Sequence, residues 1–170
     1  MEDFAHEVVA FVQRNEVWAW PVVFGLAFGE SLVLISLLLP ATVALFGIGA
    51  LIGVSGIPFI PIFLAATTGA VLGDWLSFWV GITFEGQVAK TWPLSRYPDI
   101  IPRGHALVER YGIYAVFIGR FFGPLRASVP LAAGILGMPF WPFQLANFSS
   151  AIIWSAGLLG AGYYGMKILM

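Results

Sequence analysis

The chain has 170 residues, of which 59% are apolar and 10% charged, and its mean hydropathy is +0.90. A soluble domain carries about 25% charged residues, so eight basic and nine acidic side chains cannot give this chain a water-facing surface; it reads as an integral membrane protein. The formal net charge of −1 argues against the basic face that nucleic acid requires. The absence of cysteine excludes disulfides, thiolate nucleophiles and Cys-ligated metal.

The first residues, Met-Glu-Asp-Phe-Ala-His-Glu, place acids where a secretory leader needs positive charge, so they are read as mature sequence. Within residues 1–16, Phe4, Val8, Phe11 and Val12 recur at helical spacing among charges. This predicts an amphipathic helix lying at the membrane interface or packed on the bundle. Residues 17–29 are uncharged, then comes Glu30, and residues 31–73 form a run of 43 without an ionisable group, closed by Asp74. A spanning helix needs about 20 apolar residues, but Pro40, Gly47, Gly49, Gly53, Gly56, Pro58 and Pro61 punctuate this run. Residues 40–61 are therefore expected as a broken, re-entrant hairpin and residues 61–84 as a full span.

Residues 85–111 are the one long polar segment, with Pro93, Pro98 and Pro102 in its first part and a weak apolar stripe from Ile100 to Tyr111. A second interfacial helix is expected there. Its four basic residues, against one in the acidic N-terminal segment, place this loop on the cytoplasmic side. After Arg126 another 40 residues pass without charge. Pro124, Pro130, Gly134, Gly137, Pro139 and Pro142 break the start of this stretch, and residues 143–166 can span. Trp18, Trp20, Trp75, Trp92 and Trp141 are placed to mark membrane interfaces.

The expected architecture is thus an all-α polytopic membrane protein forming a single membrane domain, 1–170. It comprises an interfacial helix (1–16), a first repeat (17–84), the polar loop with its amphipathic helix (85–111) and a second repeat (112–170). The repeats overlay: Glu30 precedes Pro40 by ten residues as Arg120 precedes Pro130, and Pro58-Phe59-Ile60-Pro61 matches Pro139-Phe140-Trp141-Pro142. Paired broken helices in two halves point to inverted repeats with a binding site where the hairpins meet near the midplane. The duplication sets an acid, Glu30, opposite a base, Arg120, and a pseudo-two-fold axis is expected to bring those two together.

Glu30, Asp74, Arg120 and Arg126 are the charges embedded in apolar sequence. At about 2.5–3.5 kcal/mol each, four such groups cost on the order of 10–14 kcal/mol unless paired or hydrated. Arg120 and Arg126 flank the Gly123-Pro124 break, and guanidinium forks suit phosphate oxygens. These two are the expected phosphate-binding residues, with Glu30 and Asp74 for charge balance or proton coupling. Pro40, Gly123, Pro124, Pro130 and Gly134 are the expected hairpin breaks, with Thr42 and Asn147 as supporting polar groups. Asn147, Ser149 and Ser150 are expected to bond across helices. His6 and His105 read as solvated. No His-Glu-x-x-His, Gly-rich phosphate loop or Ser-His-Asp set occurs, so no enzyme, cofactor or metal site is expected.

The segment from Arg120 to Met138, Arg-Phe-Phe-Gly-Pro-Leu-Arg-Ala-Ser-Val-Pro-Leu-Ala-Ala-Gly-Ile-Leu-Gly-Met, resembles the DedA family, membrane proteins carrying the VTT (SNARE-associated Golgi-type) domain. Phe143, Asn147 and Trp154 continue the likeness, and Glu30, Pro40, Gly69-Ala70 and Gly73-Asp74 carry it in the first half. The resemblance implies opposed re-entrant hairpins and lipid flipping or scrambling, with bacterial members tied to polyprenyl-phosphate or phospholipid movement and to the proton-motive force. It implies a proton-coupling role for Glu30 and essential roles for Arg120 and Arg126. Two positions depart: Thr42 stands where many relatives have a second acid, and Phe78 where a tyrosine is common, which weakens the case for obligatory proton coupling. The leading expectation is a flippase-like transporter of a phosphate-headgroup lipid in a bacterial inner membrane, with lipid and protons as partners and a second copy of the chain allowed. The alternatives are a proton-coupled carrier or channel for a small soluble ion, and a scaffold whose buried ion pairs are purely structural.

Overall fold

The computed structural model describes residues 2–36, 41–84, 99–122 and 125–169, and these contain helices, turns and short connections without a strand. Helix α1 (Glu2–Arg14) lays Val12 and the half-buried Val8 and Val9 onto α4 (Ala41–Ser55), where a Val9 methyl would stand 2.9 Å from a Cβ on Gly47. The N-terminal amphipathic stripe is thus a packing face. A single 3-10 turn, Glu16–Trp18, leads into α2 (Ala19–Ser31). Extended backbone at Leu32 ends α2, and the short α3 (Val33–Ser36) follows.

Helix α5 (Phe59–Phe84) and helix α9 (Phe140–Leu169) are the two long apolar elements. At about 1.5 Å per residue they run about 39 and 45 Å, more than the roughly 30 Å hydrocarbon core of a bilayer. In each, about half of the most apolar 18-residue stretch is buried, and residues such as Ile60, Leu64, Leu72, Leu145, Phe148 and Ile152 face outward. Both begin a few residues earlier than the apolar runs suggest, because Pro61 and Pro142 sit in the first helical turn, where a missing N–H costs nothing. Helix α6 (Ile100–Tyr111) is the amphipathic helix expected in the polar segment, and α7 (Ile113–Gly119) and α8 (Leu125–Ile135) complete the set.

The turns before α5 and α9 are built alike. Gly56 takes φ 77 after α4 and Gly137 takes φ 68 after α8, each followed two residues later by proline. At the second turn Met138 N–H donates to Ala133 C=O (2.9 Å) and Gly137 N–H to Gly134 C=O (3.0 Å), the paired bonds of a glycine-terminated helix end. The proline then blocks further helix, which is why the chain reverses there.

Several expected breaks are not breaks. Helix α4 passes through Gly47, Gly49 and Gly53, and α8 passes through both Pro130 and Gly134. A membrane-embedded helix keeps an internal proline because neighbouring elements satisfy the one carbonyl it strands. The glycines instead let helices touch. A methyl on Gly49 would stand 2.6 Å from the Leu159 carbonyl oxygen of α9, and one on Gly134 would meet the Phe78 carbonyl oxygen of α5. Such small-residue contacts hold helices together where lipid removes any hydrophobic driving force. Pro40, Gly123, Pro124 and Trp92 lie outside the described residues.

The contacts follow an exchange. The first arm of each half packs on the long helix of its own half, α2 on α5 and α7 on α9. The second arm crosses over, α4 onto α9 and α8 onto α5. Gly81 and Gly162, which admit these crossing arms, stand 81 residues apart, as do Pro61 and Pro142. Phe78 and Phe143 stack at 4.0 Å in the core between α5 and α9, both almost completely buried.

Candidate functional site

The exchange of arms brings four charges from four places in the chain into one interior cluster. Glu30 ends α2, Asp74 lies midway along α5, Arg120 follows α7 and Arg126 opens α8. Their exposures are 5%, 4%, 3% and 8%, so none of them reaches bulk solvent. Charges of this kind persist in an apolar interior only when opposite charges and hydrogen bonds compensate them.

The pairing differs from the one the sequence overlay suggests. Arg126 Nη1 donates to Glu30 Oε1 at 2.7 Å, and Arg120 Nη2 donates to Asp74 Oδ2. The cause is the crossover of α8. It leaves α9, packs on α5, and touches α2 and α3, which carries Arg126 to Glu30. Arg120 stays with α7 against α9 and meets the carboxylate that α5 holds out. Glu30 and Arg120, equivalent in the overlay, each pair with a residue of the opposite half.

Polar side chains extend both pairs. The Thr42 hydroxyl, from α4, donates to Glu30 Oε1. Asn147, wholly buried in α9, accepts from Arg120 Nη2 at 2.6 Å through Oδ1. Its Nδ2 donates to the Val71 carbonyl of α5 (3.0 Å) and to Gln144 Oε1 (3.1 Å). Asn147 therefore ties α9 to α5 and orients Arg120. Among the described residues, Ser149 and Ser150 bond within their own helix and not across helices. Their hydroxyls donate to Leu145 and Asn147 carbonyls of their own helix, at 2.7 and 3.1 Å. A proline has no N–H to give the residue four before it, so Pro130 spares the Arg126 carbonyl its helical bond.

Trp154 of α9, which the family likeness includes but to which the sequence assigns no role, is also a member of the site. Its ring faces the Arg126 guanidinium, with Cζ 4.4 Å from the ring centroid, and only 8% of the residue is exposed. The available signal was a tryptophan in mid-span, away from the interface where Trp18, Trp20, Trp75 and Trp141 stand exposed. His105 lies apart, half-buried on α6.

Donors outnumber acceptors at this centre. Arg120 Nε and Nη1 and Arg126 Nη2 are buried without a hydrogen-bond partner among the described residues, against one carboxylate oxygen, Glu30 Oε2. No group of three or more His, Asp or Glu side chains that could hold a metal occurs among the described residues.

An all-helical bundle with two bilayer-length helices and a sealed cluster of two acids and two arginines defines an α-helical membrane protein with an interior ionic centre. Residues 22–164 match the VTT domain, and the chain belongs to that family. It is 33% identical over 144 residues to the inner membrane protein YabI of Escherichia coli K12, covering 85% of this chain and 57% of that protein. It is 32% identical to the inner membrane proteins YghB and YqjA of the same strain, over 146 and 147 residues, in each case 84% of this chain and 65% of the relative. The chain thus spans just over half to about two thirds of the length of these relatives. No solved structure matches.

Proposed function

We propose that this protein moves the phosphate headgroup of a lipid across a bacterial inner membrane, with Arg120 and Arg126 holding the phosphate. The observation that carries the reading is the surplus of buried guanidinium donors, three nitrogens without acceptors among the described residues, in a setting where each unmet polar group costs several kcal/mol. A phosphate offers tetrahedrally arranged oxygens to such forks. Helices α4 and α8, at about 22 and 16 Å, are too short to cross the hydrocarbon core. They serve as the inner arms of two opposed re-entrant hairpins related as inverted repeats, a design that puts a transport site between the repeats.

In this reading the hydrocarbon tail remains in the bilayer while the headgroup passes between the hairpins. An arriving phosphate competes with Glu30 for Arg126 and with Asp74 for Arg120. A carboxylate released from its arginine in an apolar setting is driven to take up a proton. Glu30 and Asp74 therefore balance charge, and a proton follows the phosphate wherever displacement is complete. Thr42 supplies a neutral donor to Glu30, so it steadies that carboxylate without adding a second titrating group. The inner-membrane names of YabI, YghB and YqjA support the location.

The test is headgroup movement in proteoliposomes. We expect it to collapse in Arg126→Ala and in Arg120→Ala; wild-type movement in a folded Arg126→Ala protein overturns the assignment. A second reading, a scaffold with structural ion pairs, draws on the fact that each arginine already has a carboxylate. It requires that Glu30→Gln with Arg126→Gln keep activity, whereas the transport reading requires loss.

A further inference from the structure

A shallow groove of about 440 Å3 runs along the outer face of α9, lined by Phe140, Trp141, Gln144, Leu145 and Phe148. Four of these five are exposed apolar or aromatic side chains on a helix long enough to cross the bilayer. Gln144, half-buried, is the polar exception. Its Oε1 accepts from Asn147, and Asn147 in turn accepts from Arg120. Two hydrogen bonds thus lead from a lipid-facing groove to a buried guanidinium with nitrogens that have no partner among the described residues. An apolar residue at 144 would face lipid at no polar cost, so an amide there needs a reason beyond bilayer contact.

We propose that this groove is the lateral doorway of the site. The hydrocarbon tail of a phosphate-bearing lipid lies along Phe140, Trp141, Leu145 and Phe148, while its headgroup enters past Gln144 to the arginines. The occupant is a lipid and not a free anion, because the approach to the charged centre at this point is walled by aromatic and aliphatic groups that a hydrated ion gains nothing by touching. Gln144 acts as a positioning residue: it passes a headgroup oxygen or its own amide to Asn147, so the path is never without a hydrogen-bond partner. This rests on the phosphate-transport reading and adds the route.

The chain has no cysteine, which makes single-thiol chemistry clean. Gln144→Cys and, as control, Ile152→Cys on the exposed face farther along α9 are reconstituted in phosphatidylcholine–phosphatidylglycerol vesicles doped with a headgroup-fluorescent phospholipid. Attaching a bulky methanethiosulfonate group should slow headgroup movement by about tenfold in Gln144→Cys relative to the same protein unmodified, and leave Ile152→Cys at its unmodified rate. In detergent, loading micelles with phosphatidylglycerol should slow reaction of the Gln144→Cys thiol several-fold, while inorganic phosphate should not. An undiminished rate in the modified Gln144→Cys protein, or protection by inorganic phosphate alone, overturns the doorway. If wild type moves headgroups and Arg126→Ala does not, that failure belongs to the doorway alone. If wild type moves none, the transport reading fails, and the thiol-protection result still decides whether lipid occupies the groove.

Discussion

The crossed pairing of the four charges makes a quantitative prediction. Glu30 and Arg126 lie 2.7 Å apart with less than a tenth of each side chain exposed, a setting in which removal of one partner leaves the other buried and unpaired. Glu30→Gln and Arg126→Gln should each cost about 3–5 kcal/mol. The double variant retains two neutral amides that can still hydrogen-bond, and should cost less than the sum of the singles by about 2–3 kcal/mol. The Glu30/Arg120 cycle joins groups with no hydrogen bond between them and should close to within about 1 kcal/mol. Asp74/Arg120 should behave like Glu30/Arg126. The measurement is unfolding of the four proteins of each cycle by dodecyl sulfate in mixed micelles, followed by circular dichroism. A Glu30–Arg120 coupling as large as that of Glu30–Arg126 would show that the sequence-equivalent pair is the real one, and would refute the crossover of α8.

Other substitutions test the packing. Gly73→Ala drives a methyl to 2.6 Å from the Phe28 carbonyl oxygen and should destabilise by about 1–3 kcal/mol, whereas Gly25→Ala, with open space around it, should be neutral or stabilise by up to about 1 kcal/mol; thermal unfolding in detergent separates them. Phe143→Ala removes one ring of the 4.0 Å stack with Phe78 and should cost about 3–5 kcal/mol in the same assay. Trp154→Leu removes the ring facing Arg126 and should raise the lipid concentration for half-maximal headgroup movement, with Trp154→Phe restoring most of it. A lowered maximal rate at unchanged half-saturation would assign Trp154 to packing instead.

Much of the bundle is legible in the sequence because the membrane writes it as charge-free length. The two spans, the amphipathic helices at the N-terminus and in the polar segment, and the turns at Gly56 and Gly137 all follow from hydropathy and turn chemistry. Helical continuity through Gly49, Gly53, Pro130 and Gly134 does not, because in lipid a glycine in a helix marks where a neighbour comes close at least as often as it marks an end. The four charged residues of the site stand out by their isolation in apolar sequence, and all four converge. Their pairing could not be read from position, since overlaying the halves compares equivalent residues, while contact is made by the arm that crosses to the other half. Gln144 escapes notice, and Trp154 enters only as part of the family likeness with no role, for a related reason. A tryptophan and an amide carry no charge to mark them, and their roles appear only once α9 is set against α8 and α5.

The most direct measurement is a cryo-electron microscopy map of the protein in nanodiscs containing phosphatidylglycerol. We expect density for a phosphate within hydrogen-bonding reach of Arg120 Nη1 and Arg126 Nη2, continuous with an acyl chain leaving along α9. Guanidinium groups engaged only by Glu30, Asp74 and Asn147, with lipid confined to the outer surface, would contradict a phosphate site in the interior of this bundle.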